Sequence, residues 1–240
     1  MKNKVEVVCI SDLHYPYQCD KVVDLEIDFC KDQQPSIIVL HELHDFYSIS
    51  KFDKNPKNID TLQKEIDMVD VFFTRIRKVC PKSRIILLNS NHLERLKKHL
   101  WRNSPALSNL RVLGVESLLE LKKHRIEFME TFDYKGIHFK HGDVVRKFAG
   151  YTAKAEFENE GVSGVSGHSH KLNLYFQRSR GGDNFWIEGG CGCLLDQEYV
   201  KGVTNWQHGF VALQFDKKHC YPSTVPIINE QVIWGDKIYR

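Results

Sequence analysis

No apolar run in the 240-residue sequence exceeds four residues, as at Ile37-Ile38-Val39-Leu40 and Ile85-Ile86-Leu87-Leu88, whereas a membrane-spanning helix needs roughly 20. A bilayer-spanning helix, and with it a membrane partner, is excluded on this reading. A dominant charge is missing too: 34 Lys and Arg face 31 Asp and Glu, a net +3, too little to make a non-specific polyanion binder by electrostatics alone. The seven cysteines, at 9, 19, 30, 80, 191, 193 and 220, are odd in number. Their one close pair, Cys191-Gly-Cys193, lacks the two-residue gap of a zinc knuckle or redox motif. They read as reduced thiols of a cytoplasmic protein, with Cys191 and Cys193 in a tight turn rather than a metal site of their own. The first ten residues run straight into a strand pattern with no apolar signal core, so secretion is not expected. Internal repeats, low-complexity tracts and linkers are lacking as well, and one domain over 1–240 is the expectation.

What the chain does have is 42% apolar and 27% charged residues. At this length a fold buries roughly 70–75% of the surface of the unfolded chain. Neither disulfides nor a structural metal is then required, and any bound metal is free to do chemistry. Residues 5–10 and 36–40 read as strands around a helix at 21–32, a βαβ opening. From 59 to 79, Ile59, Leu62, Ile66, Val69, Phe73, Ile76 and Val79 recur at three- and four-residue steps until Pro81, predicting an amphipathic helix on the sheet. Strand 84–88 follows. The second half predicts hairpins at 131–134 with 137–140 and at 174–178 with 184–188, a helix at 152–160, and late strands at 210–215 and 232–239. Antiparallel pairing is expected to dominate there.

Polar residues of ligand type follow the predicted strands, where open α/β folds gather ligands. They are Ser11-Asp12-Leu13-His14, His41-Glu42-Leu43-His44-Asp45, Ser90-Asn91-His92, His141-Gly142-Asp143 and Gly167-His168-Ser169-His170. Any one of these alone reads as a cap or turn. The set reads as a site. His41-Glu42-Leu43-His44 is not the zinc-protease motif, because its histidines are three apart at a strand end rather than four apart on a helix. His44 is expected to be a solvent-facing loop residue.

In order and content these blocks resemble those of the calcineurin-like metallophosphoesterases: DxH, GDxxD, GNH with an acid, H, and GHxH. The flanking residues Asp45 to Ser50, Glu94-Arg95-Leu96 and Trp101-Arg102-Asn103 look most like the small phage and prophage branch. The resemblance implies an α/β fold with a β-sandwich core flanked by helices, and two divalent metals. It further implies hydrolysis of a phosphate ester by metal-bound hydroxide. Carried over by position, Asp12, His14 and His170 would hold one metal, Asn91, His141 and His168 the other, and Glu42 would bridge them. Mixed nitrogen and oxygen donors suit Mn2+ first, with Fe or Zn2+ as alternatives. His92 is the candidate to protonate the leaving oxygen or stabilise the phosphoryl oxygens, and Asp45 to orient a histidine through its other ring nitrogen.

Two departures fall inside the blocks. His41-Glu42 stands for Gly-Asp, and Ser90-Asn91-His92-Leu93 for Gly-Asn-His-acid. A bridging Glu, one methylene longer, requires the backbone to retreat or the metals to separate. Both replaced glycines belong to turns that in the family favour φ > 0 or close approach. Leu93 removes the acid that steadies the histidine, leaving Glu94 as a substitute. The expected substrate is a phosphodiester of a nucleotide or nucleic acid. The alternatives are a phosphomonoesterase, or a phosphate- or nucleotide-binding member of the same fold that has lost turnover. The basic run Arg95, Lys97, Lys98, His99 and Arg102 with Trp101 reads as a solvated helix face, the alternative being contact with a nucleotide's phosphate and base.

Overall fold

Strand β1 (Val5–Ile10) alternates its side chains between two apolar cores, so it carries almost no polar residue. Helix α1 (Asp20–Gln33) returns the chain to β2 (Ile37–Leu40), parallel to β1. The computed structural model describes residues 4–55, 61–197 and 204–240. Helix α2 (Leu62–Val79) begins where Thr61 accepts a hydrogen bond from the Lys64 N–H at 3.2 Å, a serine/threonine N-cap. The expected earlier start at Ile59 lies outside the described residues. Strand β3 (Arg84–Leu88) and helix α3 (Leu93–Asn103) follow, then two short helical turns, α4 (Val115–Leu118) and α5 (Leu121–His124). The second half holds β4 (Ile126–Met129), β5 (Phe132–Tyr134), β6 (Ile137–Lys140), α6 (Tyr151–Glu160) and β7 (Ser163–Ser166). It ends in β8 (Leu172–Ser179), β9 (Gly182–Gly189), β10 (Gly209–Phe215), β11 (Cys220–Pro226), β12 (Val232–Trp234) and β13 (Lys237–Tyr239).

Two sheets result, ordered β11-β10-β1-β2-β3-β4 and β5-β6-β7-β9-β8. They face each other across Val7, Cys9, Val39, Ile86 and Leu88 on one side and Phe139, Val165 and Ile187 on the other. The opposite face of the first sheet, with Val8, Ile38, Leu40, Ile85 and Leu87, packs on Val23 and Phe29 of α1 and on Val69, Phe73 and Ile76 of α2. Each such side chain, fully buried, contributes about 1.5–3 kcal/mol. On the far side of the second sheet Ala153 and Phe157 of α6 meet Trp186. The architecture is an α/β sandwich with helices on both outer faces, and no helix among the described residues is long and apolar enough to cross a membrane.

Antiparallel pairing dominates the second half as expected, in β10–β11 and β12–β13 as well as the two predicted hairpins, with one parallel insertion. Strands β5–β6 and β8–β9 do pair antiparallel, but β7 lies between β6 and β9 and is parallel to both. Residues 232–239 form not one strand but the hairpin β12–β13, because Gly235 takes a left-handed φ of 59° between them. The consequence for function is directional. Strands β1, β2 and β3 are mutually parallel, as are β6 and β7, so all five ligand-bearing blocks leave carboxyl ends of parallel strands.

One buried acid sits away from those blocks. Glu26 lies on the inner face of α1, fully buried, with neither carboxyl oxygen hydrogen-bonded among the described residues. Burial pushes its pKa well above the ordinary range. The folded state therefore keeps a proton that the unfolded chain releases above pH 4.5, and stability falls as pH rises. Glu26→Gln is expected to gain on the parent in denaturant melts by up to ~1.4 kcal/mol per pH unit above that point, until the folded group itself titrates. A gap that does not change with pH would contradict this.

Candidate metal centre

The first and last blocks meet backbone to side chain. Asp12 accepts hydrogen bonds from the His168 N–H at 3.1 and 3.0 Å through its two oxygens. Gly167 makes this approach possible, since a Cβ there would stand 2.5 Å from Asp12 Oδ2. The two turns have the same conformation: Asp12, His14, His168 and His170 have φ of 54°, 51°, 67° and 59°. Asp and His tolerate this left-handed region better than most residues, yet each such residue costs about 1–3 kcal/mol and persists only when its surroundings enforce it. The alternation turns both side chains of each H/D-x-H triplet to one side.

There they converge. His14 Nε2 and His170 Nε2 are 2.9 Å apart, and Asp12 Oδ1 is 3.8 and 3.5 Å from them. Glu42 Oε2 lies 3.4 Å from His14 Nε2 and 3.6 Å from His141 Nε2. Asn91 Oδ1 is 2.8 Å from His141 Nε2. The structure thus places Asp12, His14 and His170 in one group of ligand atoms within 4.8 Å of one another, and Asp12, Glu42 and His141 in another. His168 stands further off, its ring edge-on to His141 with centroids 5.0 Å apart, and it joins no such group among the described residues. Every titratable member of these groups is at most 7% exposed.

The donor set fits cations. Two buried carboxylates, Asp12 and Glu42, share this space, and their ion-pair partners are imidazoles. Burial, the largest influence, pushes Glu42 above its usual range while His14 pulls it down. Burial acts the same way on Asp12, but His14, His170 and His141 hold it below the carboxylate range. Burial opposes the charge on His14 too, yet Glu42, Asp12 and Asp45 carry its pKa well up. Burial pushes His141 and His168 down, leaving neutral imidazoles with lone pairs to offer. Asp12, His14 and His170 could hold a divalent ion, and so could Asp12, Glu42 and His141.

The two departures from the motif read clearly in space. Neither His41 nor Ser90 is among the described residues with positive φ, so these turns need no glycine. The longer Glu42 side chain brings Oε1 to the His92 N–H at 3.0 Å while Oε2 stays between His14 and His141. Ser90 Oγ accepts from the Leu93 N–H at 3.2 Å and so satisfies a donor at the start of α3. Glu94 does not replace the acid missing at 93, because it is paired along the helix with Lys98. The carboxylate beside His92 is that of Asp45, whose Oδ2 is 3.5 Å from His92 Nδ1 and 3.2 Å from His14 Nδ1. Arg95 ties this together, donating to Asp45 Oδ1 at 2.8 Å and to His92 Nε2 at 2.6 Å.

His44 is a correction. It is 0% exposed, tilted against Phe46, and its ring nitrogens have no hydrogen-bond partner among the described residues; burial pushes its pKa down to about 3. The strand-like bridge from Tyr15 to His44 draws it inward. Cys191 and Cys193 form strand-like bridges to His208 and Gln18 rather than the expected tight turn, and their sulfurs and a His170 ring nitrogen lie within 4.8 Å of one another, so this segment abuts the first group. A pocket of about 380 Å³ opens over the cluster, within the range of small-ligand sites. Its walls add Tyr47, Phe52, Asp53 and Trp206, the last edge-on to His170 at 4.2 Å. No spacing in the sequence singles these residues out.

No protein-family model matches the chain, and no curated protein matches it. Among solved structures it is similar to Vps29 of Chaetomium thermophilum, at 10% identity and a TM-score of 0.44 over 93% of this chain and 97% of that one. It is also similar to Vacuolar Protein Sorting 29 of Cryptosporidium parvum, at 12% identity and 0.39 over 91% and 95%. What the site can do is set by its own residues.

Asp45 fixes the ring orientation of His14, and removing such a partner typically costs 10- to 100-fold in metal affinity. Asp45→Asn is therefore expected to weaken Mn2+ or Zn2+ binding by about that factor in calorimetric titration, with the metal-free fold retained. Unchanged affinity would mean that His14 needs no such support.

Proposed function

We propose that the chain is a calcineurin-like metallophosphoesterase that hydrolyses a phosphate ester, specifically a phosphodiester of a nucleotide or nucleic acid. The observation that supports this most directly is the position of Glu42 Oε2, 3.4 Å from His14 Nε2 and 3.6 Å from His141 Nε2, where one carboxylate can serve two ligand groups. When bound, a pair of divalent ions supplies a water nucleophile at neutral pH and neutralises charge on the phosphoryl oxygens. Mn2+ is the first choice, with Fe and Zn2+ as alternatives.

The protein's own part is positioning and proton control. His92 lines the pocket beside Asn91. Its Nε2 accepts from Arg95, so the neutral ring carries its hydrogen on Nδ1, toward Asp45. Burial lowers its pKa, and His14 and Arg95 lower it further. A phosphoryl group in the pocket brings negative charge that favours the protonated ring, and a protonated His92 can then donate to the leaving oxygen. Arg95, on the same wall, has donors beyond its contacts with Asp45 and His92 to orient a phosphoryl oxygen.

Loaded with Mn2+, the protein is expected to hydrolyse a generic diester such as bis(p-nitrophenyl) phosphate. His92→Ala should cut turnover by about 10²–10⁴ at unchanged metal content. Glu42→Ala should empty at least one site and abolish hydrolysis. If the loaded parent hydrolyses no ester while the double variant His41→Gly with Glu42→Asp does, the chain is a binding member of the fold rather than an enzyme.

A further inference from the structure

Helix α3 leads away from the pocket with cations along one face. Arg95, Lys98 and Arg102 stand at i, i+3 and i+7, which aligns them on a helix, while Leu93, Leu96 and Leu100 pack into the core on the other side. Between this stripe and the chain at 50–52 runs a groove of about 460 Å³. It shares Phe52, Asn91 and Arg95 with the pocket over the cluster, so the two are continuous. Among the described residues the groove lining includes Lys51, Lys98, Arg102 and Trp101 and no carboxylate.

Its aromatic rings are open to solvent: Trp101 is 55% exposed and Phe52 60%. Each is overlaid by a lysine, Lys97 at 4.9 Å from the Trp101 ring and Lys51 at 5.6 Å from Phe52. Of the groove cations Arg95 is paired with Asp45, whereas the pair of Lys98 with Glu94 is exposed and within the helix, a class that contributes little and exchanges readily. Cations along a groove with ring faces presented between them are what a single strand of nucleic acid requires, with phosphates on the charges and bases stacked on the rings. From Arg95 to Arg102 the helix advances about 10.5 Å at 1.5 Å per residue, room for about three nucleotides at a stacked spacing of 3.4 Å. A mononucleotide would fill the pocket and leave this stripe unused.

We propose that the α3 groove binds a single-stranded nucleic acid whose scissile phosphodiester lies over the His14, Glu42 and His141 cluster. The flanking phosphates rest on Lys98 and Arg102, and a flanking base stacks on Trp101. This rests on the phosphoesterase reading above. Binding to the groove is nevertheless measurable without turnover, which keeps the two separable.

Fluorescence anisotropy of the full chain with a labelled phosphorothioate dT decamer and a 2′-O-methyl U decamer, over a salt series, tests it and tells DNA from RNA. At least one strand should bind. Lys98→Ala with Arg102→Ala should flatten the log affinity against log salt slope by about 1.4, from roughly 0.7 per neutralised phosphate on single strands. Trp101→Ala should weaken binding about 5- to 100-fold. All three substitutions should leave hydrolysis of the small diester in Mn2+ unchanged. Strand binding without hydrolysis of any ester would keep the groove and overturn the enzyme. Hydrolysis of the small diester with no strand bound, with equal binding by parent and variants, or with the groove taking a phosphopeptide instead, would overturn the groove.

Discussion

Two carboxylates buried within reach of each other, with imidazoles and, among the described residues, no lysine or arginine as their ion-pair partners, set the terms for the rest of this molecule. Asp12 and Glu42 are 0% and 1% exposed, and burial together with the charge of Asp12 makes ionisation of Glu42 harder. Burying charge at that density is costly unless something positive compensates for it. His14 meets part of that demand as a cation-favouring imidazole, while His141 is held neutral by burial. A set of neutral imidazoles, an amide oxygen and carboxylates around one carboxylate oxygen matches mixed nitrogen and oxygen ligation of divalent ions.

The fold supports that arrangement. Parallel strands from both sheets end at one edge, and each hands its next residues to the cluster rather than to the core. The left-handed residues at 12, 14, 168 and 170 store strain that the meeting of Asp12 with the His168 backbone N–H holds in place. Behind them Asp45 spans two histidines and is itself held by Arg95. Ser169 Oγ donates to Glu188 at 3.0 Å, anchoring the turn that carries His168 and His170 to β9. Precision at the ligands therefore comes from partners that are not themselves ligands.

Much of this was legible in the sequence, for identifiable reasons. Strands β1, β2 and β3 show as apolar runs, interrupted only by Glu6 in β1 and begun by Arg84 in β3, because both their faces are buried, and α2 shows because only one of its faces is. The polar blocks stood out because each follows such a run. The insertion of β7 between β6 and β9 was not legible, since turn residues report which strands are neighbours in sequence and not which strand is threaded between them. Strand β11 was hidden by Pro222 and Pro226, tolerated because it lies at the edge of its sheet. The burial of His44 depends on a bridge to Tyr15, and the clamp of Arg95 on Asp45 and His92 joins residues up to 50 apart. Trp206 reaches the pocket from a segment with no periodic pattern at all.

The central claim is that Glu42 is shared between two cation sites. Crystals soaked in Mn2+ and measured at the manganese absorption edge test it most directly. The account predicts two anomalous peaks about 3.5–4 Å apart that flank the Glu42 carboxylate, one beside Asp12, His14 and His170 and the other beside Asn91, His141 and His168. A single peak that Glu42 does not touch, or no peak among these residues at saturating metal, would contradict it.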